Sequence, residues 1–286
     1  MFRVSLVLEP SLPPPATRPV SSRVEESRAG QVWPDGVSLV IPAYNEEKRI
    51  GNALDLYLPV LRSQGLPYEV IVVADGTDHT PEVVNSYSDP AVRVIHFDSR
   101  QGKGGAIIAG FHQARFRRVG HVDADGSLAT DSLVALIDSA ARHDCVFGSR
   151  WVQGSVWIRR EAKRKEVAGR VFNAYVRAVL GIGVRDTQCG AKFYSQPFLR
   201  RLMGHVYVNN QTTDVSFILH SKLLGGDIIE LPVTWTTVGS SRYRLAPDAI
   251  TMFATVAGMR FANSRVHVLI PSGLIRAVHR VVEWVG

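Results

Sequence analysis

The sequence has little cysteine and no long uncharged hydrophobic run. Its two cysteines, Cys145 and Cys189, allow at most one disulfide among 286 residues, and no CxxC motif or Cys/His cluster predicts a zinc site. This cysteine usage favours a reducing, cytoplasmic setting. No uncharged apolar window reaches the roughly 18 residues of a membrane-spanning helix, so we expect none. A short apolar run at the start meets Glu9 and a proline cluster too soon for a signal peptide.

The charge of the chain is basic, with a formal net charge of +7, which favours an anionic partner. A nucleic acid, a membrane surface and a phosphorylated substrate all meet that requirement. The sequence has no recognised nucleic-acid-binding motif and no platform of interleaved aromatic and basic residues, so we expect no nucleic acid. A length of 286 residues suffices for one large α/β domain or two small ones.

The composition changes after about residue 35. Prolines and scattered charges dominate residues 1–35, which predicts a disordered leader. From Val37 onward, short apolar runs alternate with amphipathic segments. The predicted strands are VSLVIP, YEVIVVAD, VRVIHF and RVGHVDAD, and the predicted helices are EEKRIGNALDLYLPVLRSQ, TPEVVNSYS and GGAIIAGFHQARF. This order predicts an α/β fold with a mostly parallel, Rossmann-like sheet, helices on both faces and ligands at the carboxyl ends of the strands.

Carboxylates follow two of these predicted strands. Asp75 ends the second strand, and Asp123 and Asp125 end the fourth, two positions apart. Neighbouring carboxylates repel each other unless a cation lies between them, and their hard oxygens suit Mg²⁺ or Mn²⁺ together with phosphate oxygens. The pair therefore indicates a metal clamp for a nucleotide diphosphate. A turn in which each Asp caps backbone amides explains these residues equally well.

A glycine-rich helix entry, GKGGAIIAG at residues 102–110, carries Lys103. Ile107 stands where a dinucleotide-binding fingerprint has its third glycine, and the sequence has no GxxxxGK[ST] phosphate loop. The segment could still approach an anion through backbone amides and a positive helix end. A plain tight turn is the alternative interpretation.

Several segments together resemble one protein family. They are VIPAYNEE, VVADGTDHT, GKGGAIIAG, VDADGS, FGSR, RDTQCGAKFY and LPVTWTTVGSSRY. Their order and approximate spacing resemble the family 2 glycosyltransferases of GT-A fold, especially the dolichyl- and polyprenyl-phosphate sugar synthases of the dolichyl-phosphate glucosyltransferase type. The resemblance implies a GT-A catalytic domain over residues 36–245, which leaves residues 246–286 as a C-terminal amphipathic helical segment.

By this resemblance, the donor is a nucleotide-diphosphate sugar, either UDP-glucose or GDP-mannose. Asp123 and Asp125 would hold Mg²⁺ or Mn²⁺ against the donor diphosphate, which gives Asp125 a catalytic role. Mannose synthases have a Gln two residues after the second Asp, where this chain has Ser127, so the resemblance supplies no third protein ligand. The remaining residues assigned to the nucleotide sugar are Pro42, Tyr44, Glu46, Asp75, Lys103 and Gln188.

The acceptor that the resemblance implies is a polyprenyl or dolichyl phosphate. Its second pKa lies near ~6, so at neutral pH the phosphate is largely dianionic and can attack the sugar carbon without a protein base. The site then needs positive charge that desolvates and aims the phosphate. The resemblance places Arg150, Arg164 and Arg242 where the family keeps its acceptor-phosphate cations. For the run RREAKRK as a whole, a solvated helix face is the alternative.

Other positions depart from the family pattern or need a second interpretation. Ser216 replaces the acid of the DVEL motif, whereas Asp214 is retained. Ala74 replaces the first Asp of the usual DDG, but the resemblance assigns the nucleotide to Asp75. Cys189 has no His near it in the sequence, so we predict a buried structural residue rather than a nucleophile.

The segment SGLIRAVHRVVEWVG, residues 272–286, has an amphipathic pattern. Its apolar residues fall mostly on one helical face, with Arg276, Arg280 and Glu283 opposite. A basic amphipathic helix of this kind could lie in the membrane interface. The alternative is a helix that packs its apolar face on the catalytic domain or on a second subunit.

The sequence therefore predicts an inverting, metal-dependent transferase that moves glucose or mannose to a polyprenyl or dolichyl phosphate. We expect a peripheral protein on the cytoplasmic face of a membrane, with homo-oligomerisation left open. Two alternatives remain: a glycosyltransferase with a polysaccharide or soluble-metabolite acceptor, and a catalytically silent nucleotide-sugar-binding scaffold, which Ser127 and Ser216 keep open. The presence of both Asp123 and Asp125 disfavours the scaffold.

Overall fold

The computed structural model describes residues 32–159, 163–206, 212–238 and 245–263, with the backbone alone at 245–248. The predicted leader up to residue 31, Arg242 and the predicted amphipathic segment 272–286 lie outside these ranges. Within them, no helix is both long and apolar enough to cross a bilayer.

The described residues form nine strands and eight helices. The strands are β1 (Val37–Ala43), β2 (Tyr68–Ala74), β3 (Val92–His96), β4 (Arg118–Val122), β5 (Cys145–Ser149), β6 (Val156–Arg159), β7 (Ala191–Ser195), β8 (Ile228–Pro232) and β9 (Thr234–Thr236). The helices are α1 (Ile50–Ser63), α2 (Thr80–Asn85), α3 (Gly102–Gln113), α4 (Thr130–Ser139), α5 (Lys163–Leu180), α6 (Gln196–Met203), α7 (Thr213–Leu223) and α8 (Leu245–Ala262).

Every strand and helix predicted between residues 37 and 125 is present. The first helix begins at Ile50, four residues later than predicted, because the chain first makes a tight turn after β1. Asn45 adopts a positive φ of 53° in this turn, a conformation that asparagine tolerates better than most residues.

Seven strands form one sheet, in the order β3-β2-β1-β4-β7-β5-β8. All neighbours in this sheet are parallel except the pairs that β7 makes with β4 and β5. The prediction of a mostly parallel sheet is therefore confirmed. The strand order reverses between β1 and β4, and a crevice opens at the carboxyl ends of the strands at such a point. β6 and β9 form a separate parallel pair.

Helices cover both faces of the sheet because strand side chains alternate between the faces. On β1, Leu39 and Ile41 enter a core that includes residues of α1 and α4. Val40 enters the opposite core, which includes residues of α3, α5, α6, α7 and α8. All three side chains are fully buried, which explains why the central strands are almost continuously apolar. The prediction of helices on both faces is confirmed.

Helices α5 and α8 pack against each other through aromatic side chains. The ring of Phe253 lies 5.4 Å from that of Phe172 and 4.6 Å from that of Tyr175, measured between centroids. The hydroxyl of Tyr175 also donates a hydrogen bond to the carbonyl of Phe253 at 3.1 Å. Within the predicted segment 246–286, α8 is the part that the structure describes.

Candidate active site

The candidate site residues converge on the carboxyl edge of the sheet. Asp75 follows β2, the Asp123–Asp125 pair follows β4, and Arg150 follows β5. The antiparallel strand β7 begins at this same edge, since Ala191 pairs with Val122. The loop that enters β7 therefore faces the loops that leave the parallel strands.

Asp123 is held between a lysine and a glycine. The Nζ of Lys103, in the first turn of α3, lies 2.8 Å from Asp123 Oδ1, and both side chains are 30% exposed. On the other side, Gly190 stands so close that a Cβ at that position would collide with the Asp123 carboxylate. The position of this carboxylate therefore depends on the ion pair with Lys103 and on glycine, which has no side chain, at position 190.

Asp125 caps the turn that follows it and is repelled by the negative charge of Asp123. Its Oδ1 accepts a hydrogen bond from the Ser127 amide at 3.0 Å, as the turn interpretation predicts. Burial and the negative charge of Asp123 raise the pKa of Asp125, whereas the Ser127 hydrogen bonds and the charge of Arg49 lower it. The net effect is that the pKa of Asp125 is raised, which means that ionising both carboxylates at once is unfavourable.

A divalent cation fits this pair of carboxylates. A bound Mg²⁺ or Mn²⁺ would relieve the repulsion that raises the pKa of Asp125, and carboxylate oxygens are the donors that both ions prefer. Within the described ranges, no group of three or more His, Cys, Asp and Glu side chains is placed to hold a metal. Asp123 and Asp125 would therefore supply two carboxylates without a third.

A buried charge network lies next to Asp123. Lys192 on β7 is fully buried, and its Nζ lies 2.8 Å from Asp214 Oδ1 in the first turn of α7. The other oxygen of Asp214 is 3.7 Å from the Nζ of Lys103, and Oδ1 is 3.5 Å from His121 Nε2. Burial alone would raise the pKa of Asp214, but Lys192 and Lys103 hold it well below its usual range. The retained acid of the DVSF segment thus neutralises a buried lysine.

Asp75 caps the N-terminus of α3 from the end of β2. Its Oδ2 accepts hydrogen bonds from the backbone N–H groups of Gln101 at 2.9 Å and Gly102 at 2.8 Å. Gly102 has a positive φ of 71°, so a glycine is favoured where the chain turns into this helix. The two amides serve a carboxylate of the protein itself, and Lys103 from the same turn reaches Asp123.

The end of β1 and the loop that follows it carry the next candidates. Pro42 is half-buried within β1, and Tyr44 is 38% exposed with the guanidinium of Arg100 4.4 Å above its ring. The Glu46 carboxylate is almost buried and accepts two hydrogen bonds of 2.6 Å from Arg49.

Arg49 is a functional candidate that the sequence analysis missed. The hydrogen bond with Glu46 is the main cause of its raised pKa, and the charges of Asp125 and Asp123 add to it. Arg49 therefore places positive charge near the acidic pair. A spacing of three residues between opposite charges is typical of an ion pair on a helix, so the Glu46–Arg49 spacing was the sequence signal that could have identified Arg49.

Arg150 lies in a buried ion pair surrounded by indoles. Its Nε is 2.7 Å and its Nη2 is 3.0 Å from the two carboxylate oxygens of Asp186, which is fully buried. Burial would raise the pKa of Asp186, but the charge and hydrogen bonds of Arg150 lower it. The guanidinium carbon lies 5.4–5.9 Å from the ring centroids of Trp151, Trp157 and Trp235. Asp186 and these indoles also escaped the sequence analysis, since their contacts with Arg150 are set by the fold.

The last candidates occupy different positions. Gln188 is half-buried in the loop before β7, and its backbone N–H donates a hydrogen bond to Asp186 Oδ1 at 3.2 Å. Arg164 is exposed in the first turn of α5. The structure therefore places Gln188 beside the Arg150–Asp186 pair and leaves Arg164 at the surface.

Both cysteines are free and buried. Burial raises the pKa of the Cys189 thiol to about 12, so the thiolate that a nucleophile requires is disfavoured. This agrees with the structural role predicted for Cys189.

Comparison of the sequence with known proteins finds glycosyltransferases. The sequence model described as glycosyl transferase family 2 matches residues 38–203. Glycosyltransferase AglD of Haloferax volcanii is 34% identical over 245 residues, which are 82% of this chain and 38% of AglD. The dolichyl-phosphate beta-glucosyltransferase of Drosophila melanogaster is 33% identical over 223 residues, which are 72% of this chain and 68% of that protein. The chain thus spans 38% to 68% of the length of these two relatives.

Solved structures share the fold. Glucosyl-3-phosphoglycerate synthase from Mycobacterium tuberculosis, in complex with Mn²⁺, UDP and glucosyl-3-phosphoglycerate, gives a TM-score of 0.59 at 20% identity, over 83% of this chain and 81% of that chain. S. aureus TarS in complex with UDP-GlcNAc gives 0.52 at 19% identity, over 85% and 70%. At these identities the likeness concerns the fold, and the expected GT-A fold is confirmed.

Proposed function

We propose that this chain, which belongs to glycosyl transferase family 2, transfers a hexose from a nucleotide-diphosphate sugar to a polyprenyl or dolichyl phosphate with inversion at the sugar carbon. The relatives named dolichyl-phosphate beta-glucosyltransferase support this acceptor and favour UDP-glucose over GDP-mannose as the first donor to test.

One observation carries the proposal: the Asp123–Asp125 pair lies at the carboxyl edge of the sheet, at the switch point, with Lys103 2.8 Å from Asp123. A donor diphosphate needs positive charge at that edge. Asp123 and Asp125 would hold Mg²⁺ or Mn²⁺, which when bound offsets the charge of the leaving diphosphate. Lys103 adds a fixed cation beside it.

The nucleotide would bind along the loops after β1 and β2. Asp75 is oriented by its two amide hydrogen bonds, so its carboxylate is preorganised for a base or ribose hydroxyl. Tyr44 and Pro42 line the same loop edge, and Glu46 acts there through Arg49. Gln188 approaches from the loop before β7.

The acceptor phosphate would enter on the side of β5 and α5. It is largely dianionic at neutral pH, so the chain has to position it rather than deprotonate it. Arg164 is an exposed cation there, whereas the charge of Arg150 is shared with Asp186. Arg242 belongs to the same proposal from the resemblance alone.

The location of the acceptor sets the location of the enzyme. A lipid phosphate stays in the bilayer, so we place the chain at the cytoplasmic membrane face as a peripheral protein, with an oligomer left open. The basic net charge of +7 supports an anionic surface as partner.

The test is an assay of the purified chain with radiolabelled UDP-glucose or GDP-mannose and a polyprenyl phosphate. We expect lipid-linked glucose with Mn²⁺ or Mg²⁺ and none in EDTA. Transfer only to a soluble or polysaccharide acceptor would overturn the acceptor class. Donor binding without transfer to any acceptor would favour the silent scaffold.

A further inference from the structure

Helix α5 exposes an apolar row to solvent. Val167 is 59% exposed and Val171 is 55% exposed. Ala174 and Ala178, also exposed, continue the row at helical spacing, whereas Phe172 and Val176 point into the core. A helix in a globular protein normally buries one apolar face, but α5 has a second apolar face outside.

Helix α8, packed beside α5, repeats this feature. Its outward positions include Ile250, which is 69% exposed, and the exposed Ala254 and Ala257. Met252 and Val256 of the same helix are buried in the core. Because Phe253 contacts Tyr175 on α5, the two exposed rows run along neighbouring helices.

Strand β6 extends this surface toward the candidate site. Val156 is 51% exposed and Ile158 is 67% exposed. Trp157, which lies between them in the sequence, is half-buried, and its ring is 5.2 Å from that of Trp151. The guanidinium of Arg170 on α5 lies 4.5 Å above Trp151, which ties α5 to the same indoles. The apolar surface therefore borders the Arg150 side of the site.

Exposed cations surround the apolar row. Arg159 ends β6, and Lys163, Arg164 and Arg177 are exposed on α5. The carboxylate of Glu166 is 3.2 Å from Arg170 and so is already paired. An apolar strip edged by basic residues is complementary to an anionic lipid surface, where the apolar side chains enter the headgroup boundary and the cations meet lipid phosphates.

We infer that the outward surface of β6, α5 and α8, here called the α5–α8 face, is the surface by which the protein docks on an anionic bilayer. The inference rests on the proposed lipid-phosphate acceptor for its purpose, but its evidence is the exposure and charge of the face itself. Docking through this face presents the Arg150 side of the site to the bilayer that holds the acceptor.

The test is cosedimentation of the full-length chain with phosphatidylcholine vesicles, with and without phosphatidylglycerol. The variant Val167→Glu/Val171→Glu places two carboxylates at exposed helical positions, so the fold is preserved. We expect its partition onto anionic vesicles to fall by at least about tenfold. Leu223→Glu, at a position 55% exposed on α7, is the matched control and should bind like the parent. Val167→Leu/Val171→Leu should also bind at least as well as the parent.

Glycosyl transfer to a short, water-soluble polyprenyl phosphate separates this inference from the proposed function. We expect the Val167→Glu/Val171→Glu variant to keep that activity and to lose activity on a long acceptor in vesicles. If the parent protein binds vesicles through these valines but transfers no sugar, the docking role of the α5–α8 face would stand and the proposed function would be refuted.

Two outcomes would overturn the inference that the α5–α8 face docks on a bilayer. One is unchanged vesicle binding by the glutamate variant, and the other is a parent that does not bind anionic vesicles at all. Sedimentation equilibrium measures the oligomeric state of the parent and of the glutamate variant. If the parent is a dimer, the glutamates dissociate it and vesicle binding is unchanged, the surface would instead be the interface with a second copy of the chain.

Discussion

Lys103 and Asp123 form an ion pair across the crevice, with 2.8 Å between Nζ and Oδ1. The lysine comes from the first turn of α3 and the aspartate from the loop after β4, so the pair joins two elements that flank the switch point. A divalent cation held by Asp123 and Asp125 would therefore share the Asp123 carboxylate with Lys103.

Asp125→Asn should abolish turnover and leave the fold intact. The amide keeps the size of the side chain but removes one anionic donor from the proposed metal site, so we expect a loss of more than about 100-fold. Asp131→Asn, at an exposed acid in the first turn of α4, is the control. Circular dichroism checks the fold. Near-normal activity of Asp125→Asn at saturating Mn²⁺ or Mg²⁺, or full activity of the parent in EDTA, would refute the metal role.

Gly190→Ala should displace the Asp123 carboxylate and lower activity, because the added Cβ would collide with it. We expect weaker Mn²⁺ binding, measured by electron paramagnetic resonance, together with reduced kcat. Gly183→Ala, in the same loop, is the control because a Cβ there meets no atom within 4 Å. If both variants behave like the parent, the geometry of Asp123 does not matter for the metal.

Arg164→Ala should weaken use of the lipid phosphate far more than binding of the nucleotide sugar, since the proposed function puts the two anions at different ends of the site. The KM for the acceptor should rise by about tenfold or more, whereas donor affinity, measured by calorimetry, should stay within about twofold. The exposed Arg142, after α4, provides the control variant Arg142→Ala. Equal losses for donor and acceptor would instead indicate that Arg164 supports the fold.

Asp186→Asn should destabilise the protein and flatten its stability at acid pH. The substitution leaves the mostly buried Arg150 without its charge partner, which costs about 3–5 kcal/mol. Arg150 lowers the pKa of Asp186 below its usual 3.8, so the pair stabilises the parent fully above that value. This stability is lost as the pH falls through the lowered, folded-state pKa. Urea unfolding of parent and variant from pH 7 to pH 2 should therefore converge at the acid end; a constant difference would contradict the ion pair.

Deletion of residues 270–286 tests the predicted amphipathic tail. Loss of Arg276 and Arg280 near an anionic surface removes about 2 kcal/mol, or roughly 30-fold in partition, beyond any apolar contribution. We expect weaker cosedimentation with anionic liposomes and a larger loss of activity on a long polyprenyl phosphate than on a short soluble analogue. A folded truncation with unchanged binding and unchanged activities would favour a tail that packs on protein.

The sequence predicted the half of the sheet that ends at Asp125, because its strands are continuous apolar runs and its helices have a clear amphipathic period. The direction of β7 was not predictable, since a short apolar strand reads the same in either direction and only pairing with β4 and β5 defines it. Lys192 shows the same limit: a lysine within a buried strand becomes explicable only when α7 brings Asp214 to it.

The candidate site was predictable to a similar degree. The acidic pair stood at a predicted strand end, so its position followed from the pattern. The partner of Arg150, in contrast, is Asp186, which is far away in the sequence and lies in the loop before β7. Sequence spacing indicates which residue types carry charge, but long-range contacts decide how much of that charge is left for a ligand.

The reversed direction of β7 gives the site a modular construction. Residues 37–125 furnish the proposed donor side with Asp75, Lys103 and the acidic pair, whereas residues 149–190 furnish the Arg150 side. The second block contains β6, α5 and the loop entering β7, and its last residue, Gly190, packs against Asp123 of the first block. An exchange of residues 150–187 between related transferases would therefore graft a new proposed acceptor pocket, with the β6 and α5 part of the docking surface, onto a sugar-donor cradle that retains Gln188.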